Sequence, residues 1–212
     1  MALLTQQEAD LPQCDELCGP FWAAAALRAA GFAVTQEEAA VLAGSVLAPP
    51  GAPSSLPPGE TGRRPTVELP VAAPGAPAGT SAHGVARAVE DLSGGRLAAV
   101  PASGAWTAAN VLGLLGRVGD EVVIANVDTG AFWDDWQVGH FVAIAEVRPP
   151  LVVIADSYAS RATHVHPAER VARALAGRGL LVVTERPELV RAHVEAAGLR
   201  PELWDNGSPR PR

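Results

Sequence analysis

The stretch QCDELCGPFWAAAALRAAG, residues 13–31, joins a polar turn and a Cys-Gly-Pro sequence to an alanine-rich apolar segment. We predict a helix over residues 19–30 that ends at Gly31, since glycine is favoured at the left-handed position after a helix. Proline suits the first helical turn, because the missing N–H of Pro20 would have no acceptor inside the helix. Cys18 would then lie at the N-terminus of this helix.

This position favours a reactive thiolate at Cys18. A helix N-terminus carries a partial positive charge and free backbone N–H groups. Both stabilise the thiolate, which is the form of cysteine that attacks carbonyl carbon, and Gly19 would leave room for a substrate against the backbone. Two interpretations stay open on this stretch alone: Cys18 is a nucleophile, or it is a small buried hydrophobic residue at a helix start.

Composition limits the other function classes. A chain of 212 residues with 48% hydrophobic residues is sufficient for one globular domain with a sizeable core. The formal net charge is −7 and the 16 basic residues, all arginine, form no basic patch, so we do not expect nucleic acid as a partner. Neither a signal peptide nor a membrane-spanning apolar run is evident. We therefore expect a cytoplasmic protein with reduced thiols and no membrane partner.

The order of predicted elements indicates an α+β protein, with helices first and strands weighted towards the C-terminal half. Residues 1–12 are predicted to be an irregular lead-in or one helical turn. Thr35 should cap a second helix and form a capping box with Glu38. We expect a single domain over residues 1–200 and a loose C-terminal tail over residues 201–212.

Residues 46–79 are rich in proline and glycine and cannot form regular structure throughout. We predict a long surface excursion that carries one short strand near residues 66–69. Loops of this length are usually disordered or cover a site. The excursion is therefore either a cover for a functional site or a compositional insertion without function.

Two apolar runs, HFVAIAEV at residues 140–147 and LVVIADSY at residues 151–158, predict a β-hairpin with both strands largely buried. In such an antiparallel pair the start of one strand lies beside the end of the other. We therefore expect His140 and Asp156 to lie side by side. Asp156 would accept one imidazole N–H, which leaves the other ring nitrogen for Cys18.

Taken singly, a histidine before a strand or an aspartate before Ser-Tyr is an ordinary solvated or turn-forming residue. The combination with a cysteine at a helix start is more specific. Three short segments carry it: CGPFWAAAALRAAG, GHFVAI and VIADSY, at residues 18–31, 139–144 and 153–158. They resemble motifs of the papain-like cysteine peptidase superfamily, nearest to its bacterial double-glycine leader peptidase branch. Composition would fit an actinobacterial family on that fold.

The resemblance implies a papain-like fold, in which N-terminal helices carrying the cysteine pack on a C-terminal antiparallel sheet carrying the histidine and aspartate. It implies catalytic roles for Cys18, His140 and Asp156. Members of the superfamily usually place a glutamine six residues before the nucleophile, where its amide helps to form the oxyanion hole. Here that position is Pro12 and the glutamine is Gln13, so the oxyanion role of Gln13 depends on the geometry of the turn.

The residues just before His140 are candidates for substrate binding. Trp133, Trp136 and Asp135 either pack against the excursion or form an aromatic and acidic wall, with Gly139 at the start of the strand. Such a wall would favour a basic or apolar ligand.

A zinc site formed by Cys14, Cys18, His164 and His166 is an alternative to catalysis by a thiol. Zinc fingers normally show cleaner spacing, so we expect no metal and no other cofactor. Cys14 is predicted to be a partly buried neighbour of the nucleophile, or a redox cap on it after oxidation.

The sequence thus favours thiol-dependent acyl transfer on a peptide or small amide substrate, most simply peptide hydrolysis, as in the processing of peptide natural products. Two alternatives stay open. One is a non-catalytic peptide-binding module on the same fold, and the other is a transglutaminase-like acyl transferase with the same Cys-His-Asp order. The sequence makes no prediction of the oligomeric state.

Overall fold

The computed structural model describes residues 2–52 and 54–206 of the chain. A six-stranded antiparallel sheet of order β1-β6-β2-β3-β4-β5 lies between two groups of helices. The strands are β1 Ala98–Ser103, β2 Val122–Asp128, β3 Gly139–Arg148, β4 Leu151–Ala155, β5 Thr163–Pro167 and β6 Gly179–Thr184. The helices are α1 Ala2–Asp10, α2 Cys18–Ala29, α3 Gln36–Ala43, α4 Ala82–Leu92, α5 Ala108–Val118, α6 Ala168–Ala174 and α7 Pro187–Ala196. The predicted α+β class is confirmed.

Each face of the sheet packs against its own helices. Successive side chains of a strand point to opposite faces, and β6 illustrates this. Leu181 and Val183 belong to the core formed with α2, α3 and α4, whereas Leu180 and Val182 belong to the core formed with α5, α6 and α7. Because helices cover both faces, the central strands are apolar along almost their whole length.

Helix α2 is buried along most of its length, which accounts for its alanines. Residues 19–27 are all buried, as expected of a helix that is apolar on every side. At Gly19 a Cβ would lie 2.6 Å from Val85 Cγ2 and 3.2 Å from Phe141 Cδ2. The absent side chain therefore permits close packing of α2 on α4 and β3, and the prediction that Gly19 leaves room for a substrate is wrong.

The predicted helix ends agree closely with the structure. Helix α2 begins and ends within one residue of the prediction, and Thr35 and Glu38 form the expected capping box at the start of α3. Ser81 caps α4 and Thr107 caps α5. Within the described residues, none of the helices has the length and hydropathy needed to cross a bilayer.

The N-terminal residues form a nine-residue helix, α1, where the sequence predicted an irregular lead-in or one turn. Leu3 and Leu4 pack against the core beside α2. The Gln7 side-chain amide donates to the carbonyl oxygens of Asp156 at 2.5 Å and Ala162 at 2.7 Å. The apolar residues of α1 do not repeat at helical spacing, so the local sequence does not predict this helix. Tertiary contacts stabilise it.

The C-terminal segment is anchored to the domain at least as far as residue 206, which contradicts the predicted loose tail over that part. Trp204 is only 8% exposed, and its indole N–H donates to Asn126 Oδ1 at 3.3 Å. The Asn206 side-chain amide donates to the Thr80 carbonyl at 3.0 Å. Residues 207–212 lie outside the described part of the chain.

The excursion has no strand of its own in residues 46–52 and 54–79, so the strand predicted near residues 66–69 is wrong. Two backbone hydrogen bonds between Val46 and Gly79, of 3.0 and 2.7 Å, close its base. Leu47 forms one further isolated bridge, with Val71. Prolines lack the N–H that a continuous ladder requires, so single bridges replace a strand.

Two glycine-to-alanine substitutions should have opposite effects on stability. A Cβ at Gly84 in α4 would lie 2.1 Å from the Ala43 carbonyl oxygen, so Gly84→Ala must push α3 and α4 apart and should cost about 2–3 kcal/mol. A Cβ at Gly116 in α5 would meet no atom within 4 Å outside its own helix backbone. Gly116→Ala should therefore stabilise the protein by up to about 1 kcal/mol.

Chemical denaturation of both variants tests this packing. The midpoint should fall for Gly84→Ala and rise for Gly116→Ala. A rise for both variants would show that α3 and α4 do not approach as closely as described.

Candidate active site

Cys18 is the first residue of α2. The first helical hydrogen bond runs from the Phe21 N–H to the Leu17 carbonyl at 2.8 Å, and Pro20 has no N–H. The Cys18 and Gly19 N–H groups therefore have no acceptor within the helix. These two donors and the partial positive charge of the helix end lie beside the thiol.

His140 and Asp156 form a buried pair at the open ends of β3 and β4. His140 Nε2 lies 2.9 Å from Asp156 Oδ1, and the two residues are 3% and 0% exposed. Asp156 Oδ1 also accepts the backbone N–H of Tyr158 at 3.3 Å. Because Nε2 faces Asp156, Nδ1 is the ring nitrogen left for Cys18, and Cys18 and His140 line the same cavity. The structure thus brings these three predicted residues together.

The pairing shifts the pKa of both partners in opposite directions. Burial alone would lower the pKa of His140, but the charge and hydrogen bond of Asp156, with contributions from Cys18, raise it from 6.5 to about 10. Burial alone would raise the pKa of Asp156, but the charge and hydrogen bond of His140, with a further contribution from nearby His164, hold it well below its ordinary value. At neutral pH the pair is an imidazolium and a carboxylate.

A second histidine faces Asp156 from the far side. His164 Nε2, on β5, lies 3.9 Å from Asp156 Oδ2, which is longer than a hydrogen bond. In the described part of the chain neither of these two buried atoms has a hydrogen-bond partner. His164 Nδ1 lies 2.8 Å from His166 Nε2, and His166 stacks on the Phe132 ring at 4.3 Å. His166 and Phe132 thus hold the His164 ring beside the carboxylate without a hydrogen bond to it.

The turn before Cys18 is bonded to the turn that carries Asp156. The Gln13 backbone N–H donates to the Ser157 carbonyl at 3.1 Å. The Ser157 hydroxyl donates to Gln13 Oε1, and Gln13 Nε2 donates to the Tyr158 hydroxyl at 2.9 Å. Gln13 lines the same cavity as Cys18. Its one-residue displacement from the position usual in papain-like peptidases therefore does not remove it from the site.

Two aromatic rings hold the imidazole of His140. Tyr158 stacks on it with the centroids 5.7 Å apart, and Trp136 contacts it at 5.0 Å. Burial raises the pKa of Tyr158, and the charges of Cys18 and Asp156 raise it further. Tyr158 is therefore a neutral phenol that fixes the ring orientation.

A cavity of about 70 Å³ opens beside Cys18 and His140. Asn126, Tyr158 and Arg178 also line it, and sequence analysis did not identify any of them as site residues. Asn126 interrupts the apolar strand β2, and a buried amide needs hydrogen-bond partners. Its position in the sequence could therefore have indicated a polar site at this strand. Arg178 lies between α6 and β6 without any recognisable pattern.

The predicted aromatic and acidic wall does not face this cavity. Trp133, Trp136 and Asp135 are not among the described residues that line it. Trp133 contacts the His164 ring at 4.7 Å, and Asp135 is 62% exposed and lies 3.6 Å from Arg161. Substrate binding by these three residues, and a preference for a basic ligand, therefore do not follow from the geometry.

Gly139 does line the cavity, and its substrate-binding role stays a prediction.

Trp136 supports the interpretation of packing against the excursion. Its indole N–H donates to the Ser55 carbonyl at 2.9 Å.

The excursion lies across the site and is bonded to both sides of it. On the Cys18 side, the Ser55 hydroxyl donates to Glu16 Oε1 and the Asp15 N–H donates to the Arg63 carbonyl, each at 2.8 Å. On the side of the β4–β5 connection, the Ser160 N–H donates to Glu60 Oε1 at 2.8 Å. Of the two interpretations of this segment, the structure favours a cover over the site.

Cys14 is fully buried against Leu17 and Ala40, away from the cavity. Burial raises the pKa of its thiol, although the nearby charge of Arg63 opposes the shift. Among residues 2–52 and 54–206, no group of three or more His, Cys, Asp or Glu side chains is placed to hold a metal ion.

The profile of a family of unknown function, DUF6885, matches residues 1–135 and 133–205. The chain belongs to this family. A solved structure from Bacillus anthracis, described as a C39-like peptidase, is similar with 15% sequence identity and a TM-score of 0.49, over 82% of this chain and 92% of that one. None of the curated proteins matches the chain.

Asp156→Asn should lower the pKa of His140 from about 10 towards or below its ordinary 6.5, because burial then acts without the opposing carboxylate charge. In the unaltered protein the imidazolium should persist through neutral pH and lose its proton only in the alkaline range. NMR of ¹⁵N-labelled histidine rings across this range measures the titration directly.

Asp135→Asn is the matched control for that measurement, since it removes an exposed carboxylate outside the cavity. It should leave the titration of His140 unchanged. If Asp156→Asn also left it unchanged, Asp156 would not be the group that maintains the imidazolium.

Proposed function

We propose that this protein catalyses thiol-dependent acyl transfer on a peptide or small amide substrate, most simply its hydrolysis. Cys18 is the nucleophile, His140 the general acid and base, and Asp156 the residue that orients the imidazole. The proposal rests on one observation: the hydrogen-bonded pair of His140 and Asp156 shares a cavity with Cys18, which lies at a helix N-terminus.

In the first half-reaction the Cys18 thiolate attacks the substrate carbonyl carbon. The S–C bond forms, and the π electrons of the carbonyl move to its oxygen. The tetrahedral intermediate then collapses, the C–N bond breaks, and the His140 imidazolium gives its proton to the leaving amine. The products are a thioester on Cys18, a free amine and a neutral imidazole.

In the second half-reaction neutral His140 takes a proton from water as the water oxygen attacks the thioester. The new intermediate collapses with cleavage of the C–S bond and releases the carboxylic acid. Thiolate and imidazolium are restored. If an amine attacks in place of water, the same steps complete amide formation, as in a transglutaminase-like transferase.

Two N–H groups are suitable donors to the developing oxyanion. The Cys18 backbone N–H has no acceptor in α2, and the bond to Tyr158 uses only one of the two amide hydrogens of Gln13. Fixed donors of this kind stabilise the charge of the tetrahedral intermediate. The hydrogen bonds to Ser157 and Tyr158 would hold the Gln13 amide in place.

The element order is the basis for proposing a papain-like arrangement. Helix α2 carries the cysteine and packs on the sheet, and the hairpin of β3 and β4 carries the histidine and the following aspartate. The same chain order, Cys-His-Asp, occurs in that superfamily. The proposal rests on this arrangement and on the site geometry.

A non-catalytic binding module is the second candidate, and one observation favours it. The cavity beside Cys18 is only about 70 Å³, well below the roughly 300 Å³ of a typical small-molecule site, and the excursion lies across it. A module that only binds a ligand does not need a reactive thiolate, so the reactivity of Cys18 separates the two candidates.

Alkylation with iodoacetamide provides that test, and the chain contains its own control thiol. Cys18 should react appreciably at about pH 6, since the His140 imidazolium stabilises the thiolate there. Cys14 should stay unmodified in the folded protein because it is fully buried and its pKa is raised. Peptide mass spectrometry after timed quenching gives both rates.

His140→Ala should move the reactivity of Cys18 towards that of a free thiol, whose ordinary pKa is about 8.5. A wild-type profile that already matched a free thiol would favour the binding module.

Turnover should depend on Cys18 and not on Cys14. Against a library of short peptides and N-acyl amides, Cys18→Ala should reduce turnover by up to about 10⁶-fold, the loss seen when a nucleophile is removed. Cys14→Ala should retain most of the activity, because Cys14 packs outside the cavity. Release of amine, followed by chromatography, measures both. Loss of activity in Cys14→Ala with unchanged stability would point to a mechanism that uses two cysteines.

A further inference from the structure

Arg178 lies where the Cys18 cavity meets a wider surface cleft. The inner cavity of about 70 Å³ and the outer cleft of about 410 Å³ share three lining residues, Val138, Gly139 and Arg178. The backbone of Arg178 precedes β6, and its carbonyl accepts the Trp106 indole N–H at 3.0 Å. A substrate that extends from Cys18 towards the outer cleft would pass the guanidinium.

Neutral groups hold the guanidinium in this position. Arg178 Nη1 donates to Asn126 Oδ1 at 3.0 Å, and the same oxygen accepts the Trp204 indole N–H at 3.3 Å. A Cβ at Gly139 would lie 2.6 Å from Nη1 and 3.0 Å from Nη2. Glycine at this position therefore allows the side chain to lie across the start of β3, and Asn126 fixes its direction.

The charge of Arg178 has no partner at close range. Within residues 2–52 and 54–206, no carboxylate lies within 4 Å of its guanidinium nitrogens. Burial lowers the pKa of Arg178, although the more distant charges of Asp128 and Cys18 oppose the shift. Arginine stays protonated at neutral pH regardless. A half-buried cation that faces a cavity and is held only by an amide is suited to bind an anion.

We propose that Arg178 is a specificity-determining residue that binds a carboxylate of the substrate, close to the carbonyl that Cys18 attacks. The substrate class is then short peptides or amides with a carboxylate within a few bonds of the scissile bond. This inference rests on the proposed function of Cys18. It also replaces the expected preference for basic ligands, because Asp135 lies outside the cavity beside Arg161.

Two small alkylating reagents test the inference without a known substrate. Iodoacetate carries a carboxylate, and iodoacetamide a neutral amide, on the carbon next to the one that sulfur attacks. In both reactions the S–C bond forms, the C–I bond breaks and iodide leaves. The rate constant for iodoacetate at Cys18 is divided by that for iodoacetamide. Division of this ratio by the same ratio for glutathione isolates the effect of the carboxylate.

We expect this normalised ratio to be about 10 in the unaltered protein, the size of effect that is typical of a charge-assisted hydrogen bond. Arg178→Gln should bring it close to one by slowing iodoacetate selectively. Arg178→Lys should restore part of it, because the charge returns without the planar fork. Arg173→Gln, on the exposed side of α6, removes the same charge away from the cavity and should leave the ratio unchanged.

The outcomes separate this inference from the proposed function. A ratio close to one in the unaltered protein, or one that Arg178→Gln does not lower, would overturn the role of Arg178 even if iodoacetamide shows a reactive Cys18. Slow iodoacetamide alkylation at every pH would overturn the proposed function instead. If Arg178→Gln slowed both reagents equally and Arg178→Lys restored neither, the residue would be structural and the inference would be wrong.

Discussion

The buried ion pair between His140 and Asp156 is the interaction on which the site depends. Transfer of two charges out of water is costly, and a buried pair is stable only when further hydrogen bonds satisfy its remaining atoms. The Tyr158 N–H supplies one such bond, to Asp156 Oδ1, and other parts of the chain hold the backbone around the carboxylate. Gln7 of α1 bonds the Asp156 carbonyl, and the turn at Gln13 bonds Ser157. The N-terminal helix and the turn before Cys18 thus stabilise the same loop, which carries Asp156, and this couples the position of Cys18 to that of Asp156.

One irregularity in the hairpin also determines which way Asp156 faces. The pairing of β3 with β4 shifts by one residue between Ile144 and Glu146, so that Ala143 faces Ala155. Without this bulge Ala143 would face Asp156. A shift of one residue turns every following side chain to the opposite face of the sheet. The extra residue, Ala145, lies well outside the cavity but sets the direction of the carboxylate that His140 requires.

Local sequence was sufficient for the features that depend on nearby residues. A helix start at Cys18 follows from its neighbours, and the hairpin brings His140 and Asp156 together through a short turn. By contrast, Arg178 enters the site through packing with Asn126 and Trp204, residues more than 20 positions away in the chain. The wall predicted from the nearness of Asp135 to His140 failed for the same reason, since adjacency along the chain does not decide which side chains face a cavity.

The charges of the proposed acyl-enzyme explain why a carboxylate should matter at Arg178. Before reaction, the His140 and Asp156 charges balance each other, and the more distant charges of Asp128 and Cys18 act on Arg178. In the proposed mechanism, formation of the thioester removes the charge of Cys18, and transfer of a proton to the leaving amine neutralises His140. Arg178 then keeps Asp128 but loses the charge of Cys18 at the stage when the substrate occupies the cavity. A substrate carboxylate would replace the lost charge, so its interaction with Arg178 would strengthen as the thiolate is consumed. An interaction that grows along the reaction path lowers the barrier, whereas uniform binding does not.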